Sequence, residues 1–149
     1  MKIGIGSDHG GFALKEELKT FMEEKHIEVV DFGTFNTDSV DYPDYGELVA
    51  KAVINGEVER GVVICGTGIG ISISANKVKG IRCALCGDVY SAKMSRAHND
   101  ANMIALGGRV VGVDLAKEIL TTYLNSKFEA GRHERRVNKI SEIEDRFVV

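Results

Sequence analysis

The sequence predicts an α/β fold, a five-stranded parallel sheet covered by helices on both faces. Three observations carry that expectation. Apolar runs of strand length alternate with longer segments whose apolar residues recur every three to four positions. The connections between them are short, as expected of successive β–α–β units. The 149 residues, 44% of them hydrophobic, suffice for the core of one domain.

Taken in order, Ile3–Gly6 reads as the first strand, followed from about Phe12 by a helix with Leu14, Leu18, Phe21 and Met22 on one face. Glu28–Phe32 is a second strand. Tyr45, Leu48, Val49, Ala52 and Val53 mark a helix that starts soon after the only proline, Pro43. Val62–Cys65 is the third strand, and a short helix covers about Gly70 to Lys77. Ile81–Cys86 is the fourth, leading to a helix capped near Asp88 that carries Tyr90 and Met94. Met103–Leu106 is the fifth strand, and Ala116, Ile119, Leu120, Tyr123 and Leu124 define the helix after it. A basic segment around Arg132–Lys139 leads into a last amphipathic helix with Val137, Ile140, Ile143 and Phe147. No second domain, repeat or low-complexity segment interrupts residues 1–149.

The bulk chemistry narrows the function. A net charge of −3 gives no general attraction to nucleic acid or to an anionic membrane. No apolar run approaches the ~20 residues that span a bilayer. The N-terminus reads directly as a strand, so no signal peptide is expected and the cytoplasm is the default location. Three cysteines are too few, and odd in number, for a disulfide framework. Cys83 and Cys86 form a C-x-x-C that suits metal or redox chemistry in other contexts. In a strand, residues three apart face opposite sides, which favours packing here.

Ligands of open parallel sheets bind beyond the carboxyl ends of the strands. That rule places Asp8 and His9, Cys65 to Gly70, and Gly107-Gly108-Arg109 on one rim. The stretch Val62-Val63-Ile64-Cys65-Gly66-Thr67-Gly68-Ile69-Gly70 ends an apolar strand in alternating glycines, which can present backbone N–H groups to an anion. It is not the dinucleotide pattern G-x-G-x-x-G, whose last glycine is replaced by Ile71, so a phosphate or oxyanion cradle fits better than NAD.

Cys65 is either core or a thiol activated by the amides beside it. Thr67 is either its hydrogen-bonding neighbour or a turn residue. Asp8 caps the first helix or, with His9, contacts a ligand. His98-Asn99-Asp100-Ala101-Asn102 is a helix terminus or a place where an imidazole moves protons at a sugar oxygen. Arg132 and Arg136 share a helical face and suit a phosphate, unless they are only a solvated surface. The patch is too short for nucleic acid.

In combination these motifs resemble the type B ribose-5-phosphate isomerase family, which includes related allose- and galactose-phosphate isomerases. The resemblance runs from Gly6 to about Ile143. It rests on Gly6-Ser7-Asp8-His9-Gly10-Gly11-Phe12, Asp41-Tyr42-Pro43, Cys65 to Ile73, Ala75-Asn76-Lys77, His98 to Asn102 and Gly131-Arg132-His133. It implies a Rossmann-like three-layer αβα sandwich with an extended C-terminal helix, and a homodimer, or a tetramer, whose sites draw on both chains. The implied reaction interconverts ribose 5-phosphate and ribulose 5-phosphate with no metal and no cofactor.

By the same resemblance, Cys65 is the base at carbon 2, Thr67 assists it, and His98 opens the furanose with Asp8 nearby. Asn99 and the amides of Gly66, Gly68 and Gly70 would stabilise the enediolate. His9, Arg109, Arg132 and Arg136 would hold the phosphate, and Tyr42 would line the sugar. Some members use a glutamate elsewhere as base; Cys65 puts this chain in the other subgroup. The rival within the family is a six-carbon substrate, allose 6-phosphate or galactose 6-phosphate. Outside it, the alternatives are a nucleotide or phosphosugar sensor and a thiol redox protein.

Overall fold

The structure, a computed structural model, describes residues 1–147. Its strands are β1 (Lys2–Ser7), β2 (Glu28–Asp31), β3 (Arg60–Cys65), β4 (Cys83–Leu85) and β5 (Met103–Gly107). Helices α1 (Phe12–Glu24), α2 (Tyr42–Ile54), α3 (Ile69–Ala75), α4 (Val89–Ala97) and α5 (Val113–Asn125) alternate with them, and α6 (Arg132–Arg146) follows. All strand pairs are parallel, in the order β2-β1-β3-β5-β4.

The two-residue alternation of the strands divides the core. Ile3, Ile5, Val62, Ile64, Ile104 and Leu106 pack with Leu14, Leu18 and Met22 of α1, Ala92 of α4 and Ile119, Leu120 and Tyr123 of α5. Val63, Cys65, Met103 and Ala105 face the other way, onto Val49 and Ala50 of α2 and Ile71 and Ala75 of α3. Each fully buried aliphatic side chain contributes roughly 1.5–3 kcal/mol. The chain therefore leaves β1 toward one layer and β3 toward the other. The crevice opened between two such neighbouring strands is where an α/β sheet binds its ligand.

Three boundaries differ from the sequence expectation, each for a local reason. The fourth strand is shorter than Ile81–Cys86, because the N–H groups of Arg82 and Cys83 donate to the side-chain oxygens of Asn102 and Asn76. Helix α2 begins at Tyr42 and takes Pro43 into its first turn, where the missing N–H is no loss. The basic segment is itself the first half of α6, while Phe147 caps the helix and is exposed.

Asp88 caps α4 as expected, accepting from Ser91 N–H at 2.6 Å. Cys83 packs into the α2/α3 layer and Cys86 into the opposite one. Burial pushes both thiols up, that of Cys86 to about 11. Among the described residues, no helix is long and apolar enough to cross a membrane.

Candidate active site

Cys65 ends β3 at 4% exposure, and its Sγ accepts the N–H of Gly68 at 3.1 Å. That bond depends on a left-handed turn, since Gly68 has φ +78° and a Cβ there would stand 2.6 Å from Leu85 Cδ1. The Thr67 hydroxyl oxygen accepts from Ile69 N–H at 3.2 Å, leaving its own proton to donate outward. Tyr42 packs close against Gly70, where any Cβ would sit 2.5 Å from the ring. Arg109 reaches back from the turn after β5. Its N–H donates to Gly66 O at 2.9 Å, and its guanidinium lies across Gly66.

Asp8, at the tip of β1, is buried and accepts from Gly11 N–H at 3.0 Å, so it closes the turn into α1 while lining the crevice. Asp8, Tyr42, Cys65, Gly66, Thr67, Gly70 and Arg109 surround a cavity of about 490 Å³. A neighbouring hollow of about 530 Å³ shares Asp8 and Tyr42 and adds His9. The Nδ1 of His9 accepts the N–H of Val40 at 3.2 Å, which leaves Nε2–H as the donor toward a ligand.

The remaining predicted residues lie elsewhere. Helix α4 carries the chain from the carboxyl rim back to the amino rim, and His98 caps its far end. Asn102, four residues on, donates no strand bond at the Cys65 rim; its carbonyl instead accepts from Gly61, near the start of β3. Cys65 is in register with Gly107, four residues beyond Met103 along β5. At ~3.3 Å per residue, about 13 Å of sheet separates the His98 end from the thiol.

Around His98 stand the first residues of α6. The His98 and His133 rings stack with centroids 4.0 Å apart and planes 9° from parallel. Both Nε2 atoms lie 3.7 Å from Glu129 Oε1. Arg132 and Arg136 flank this pair on exposed positions of α6. Burial, with His98 and Arg132 close by, holds the His133 imidazole below the usual histidine range. The three ligating atoms of His98, Glu129 and His133 fall within 4.8 Å of one another, a spacing compatible with a metal. With the rings parallel, however, one ion cannot lie in both imidazole planes, where the nitrogen lone pairs point.

The predicted residues thus fall into two groups within one chain, a thiol half at the carboxyl rim and a histidine–arginine half at the amino rim. Residues 3–140 match the model of the family described as Ribose/Galactose Isomerase. The chain belongs to this isomerase family.

The chain is 51% identical to ribose-5-phosphate isomerase B of Escherichia coli over 97% of each. The structure superposes on that of Clostridium thermocellum ribose-5-phosphate isomerase B with a TM-score of 0.98 at 60% identity, covering 99% of this chain and 100% of the other. It also matches the Mycoplasma genitalium enzyme with bound ribulose-5-phosphate, with a TM-score of 0.91 at 39% identity over 97% and 96%.

Several residues around His98 had no role assigned from the sequence, although His133 and Asp100 stand within its quoted motifs. Glu129 and His133 are four apart, a spacing that puts both on one side of a helical turn and could have flagged them. Arg96 and Asp100, also four apart, form an ion pair that the same spacing could have flagged, whereas Arg82, which holds the loop after His98, gave no such signal because it binds backbone carbonyls remote in sequence.

Proposed function

We propose that this chain, acting as one domain, interconverts ribose 5-phosphate and ribulose 5-phosphate in a homodimer. Each site would join the thiol half of one chain to the His98 half of its partner. The observation that carries this reading is the separation of the two halves on opposite ends of one sheet. Exposed apolar side chains beside each half support it: Ile69 and Ile73 on α3, Ile140 and Ile143 on α6. Of the fifteen residues of α6, only His133 and Val137 are buried. A two-fold axis that pairs unlike halves generates two identical sites.

In the proposed mechanism the phosphate rests between Arg132 and Arg136 of the partner subunit and His9 and Arg109, which present forked and ring N–H donors. His98 of the partner subunit, with Asp8, moves the proton that opens the furanose. Cys65, as thiolate, takes the proton from carbon 2, leaving a cis-enediolate with its charge on the carbon 1 oxygen. The proton of the carbon 2 hydroxyl passes to that oxygen, and Cys65 returns its proton to carbon 1, which leaves the carbonyl at carbon 2.

Developing oxyanion charge would be met by the N–H groups of Gly66 and Gly70 and by Asn99 of the partner subunit, while the Gly68 N–H holds the Cys65 sulfur. Phosphate binding remote from the reacting carbons orients the sugar. None of these steps calls for a metal or cofactor. Sugar phosphates are charged and do not leak through membranes, which supports a cytoplasmic location.

Cys65→Ala tests the base. General-base catalysis is worth roughly 10²–10⁴ in rate, so turnover should fall by that range while a phosphorylated sugar still binds. Near-normal turnover would overturn the assignment. The same assay run with allose 6-phosphate and galactose 6-phosphate ranks the six-carbon substrates against the pentose.

A further inference from the structure

We propose that Arg82 and Asp100, supported by Arg96, are positioning residues that aim Asn99 at the enediolate. This rests on the reading above, in which Asn99 stabilises that intermediate.

The loop from Asn99 to Ala101 is held by its carbonyls. Arg82 Nε donates to Asn99 O at 3.1 Å, and Arg82 Nη2 donates to Asp100 O at 2.8 Å. Arg96 Nη1 donates to Ala101 O at 2.9 Å, where the buried Tyr123 hydroxyl also donates, at 2.8 Å. Three consecutive peptide planes are therefore each tied to a guanidinium.

Asp100 links the two arginines. Its Oδ1 accepts from Arg96 Nη1 at 2.8 Å, and its Oδ2 lies 3.6 Å from Arg82 Nη2. The residue adopts φ +47°, a left-handed conformation that aspartate tolerates better than most non-glycine residues. The backbone of Arg82 is anchored in turn, its N–H donating to Asn102 Oδ1 at 2.8 Å.

A loop needing only stability could satisfy its carbonyls with water. Arg82, a quarter exposed at the surface, instead spends a rigid fork on the peptides on either side of Asp100. Fixing the Asn99 carbonyl fixes the rotation of its peptide, and hence the direction in which Cα projects the amide side chain. A group whose supporting contacts are loosened by an ångström can lose about 10²-fold in rate.

The experiment compares Arg82→Met, Arg82→Lys, Asp100→Asn and Asn99→Ala. Asparagine tolerates the left-handed conformation, so Asp100→Asn removes charge without adding strain. Each variant is assayed for turnover and for affinity toward two probes, with unfolding midpoint and dimer content recorded. The first is a phosphorylated hydroxamate, a planar mimic of the enediolate. The second is ribitol 5-phosphate, which has the phosphate and hydroxyls but cannot enolise.

Arg82→Met is expected to lower kcat by about 10²-fold and hydroxamate affinity in step, with ribitol 5-phosphate affinity unchanged within about threefold. Asp100→Asn should show the same split, and Arg82→Lys a partial recovery. Equal weakening of both probes, or near wild-type turnover in Arg82→Met and Asp100→Asn while Asn99→Ala is inactive, overturns the positioning role alone. Near wild-type turnover in Asn99→Ala overturns the enediolate role of Asn99, and the positioning role with it.

Discussion

Mixing two inactive variants should restore activity, in an amount set by the placement of the half-sites. Cys65→Ala disables the thiol half of a chain, and His98→Asn disables the opposite half. About 13 Å of sheet separates these halves within one chain, by the ~3.3 Å strand rise from Met103 to Gly107. In a mixed dimer, one site would combine both lesions and the other would combine Cys65 of the His98→Asn chain with His98 of the Cys65→Ala chain. That second site is wild type.

Equal amounts exchanging freely give half mixed dimers, each with one intact site of two, so activity should reach about a quarter of wild type. The assay unfolds the two variants together in urea, refolds them, and follows ribulose 5-phosphate formation. Two different affinity tags count the mixed dimers. If each site were built within one chain, every site would keep a lesion. Activity no higher than the mean of the two parents, with mixed dimers confirmed, would refute the shared site.

Two further tests address the scaffold. Lys15 is fully buried, with Nζ 2.6 Å from Asp31 Oδ2, and Lys19 lies 3.3 Å from the same oxygen. Burial opposes charge on Asp31, but bonds from Lys15, the Gly33 N–H and Lys19 outweigh it and hold the carboxyl below its usual range. That stability is present above about pH 4 and is lost as pH falls through the lowered native value. Lys15→Met should cost about 3 kcal/mol at pH 7, the low end for breaking a buried pair because Lys19 remains. Urea unfolding should show the gap to wild type narrowing toward pH 3; a gap that widens in acid contradicts the pairing.

In a Cys65→Ala background, the remaining thiols should resist a thiol reagent at pH 8 until the protein unfolds. With Cys86 at about 11, only ~0.1% is thiolate at that pH. Fast labelling of the native protein would mean that the pair is accessible after all.

Local periodicity made most of the fold legible. Strand-length apolar runs and helical stripes such as Leu14, Leu18 and Met22 depend on neighbours a few residues away, and burial on one face follows directly. Boundaries were less legible where a distant side chain replaces a ladder bond, as Asn76 and Asn102 do before β4. The thiol half could be read because Asp8, Cys65 and Arg109 all follow strand ends, and one topological rule collects them.

The sequence by itself determined the α/β class, the rim that bears Cys65 and the glycine turn that shapes it, because these follow from local spacing and chain order. Only the tertiary structure decided that His98, Arg132 and Arg136 gather at the opposite rim, where a helix running antiparallel to the strands returns the chain. Only it revealed His133 stacked on His98 and the guanidiniums of Arg82 and Arg96 on three successive carbonyls. The ring stack joins residues 35 apart in the chain, and the guanidiniums bind backbone carbonyls that every residue possesses, so neither leaves a pattern in the order of side chains.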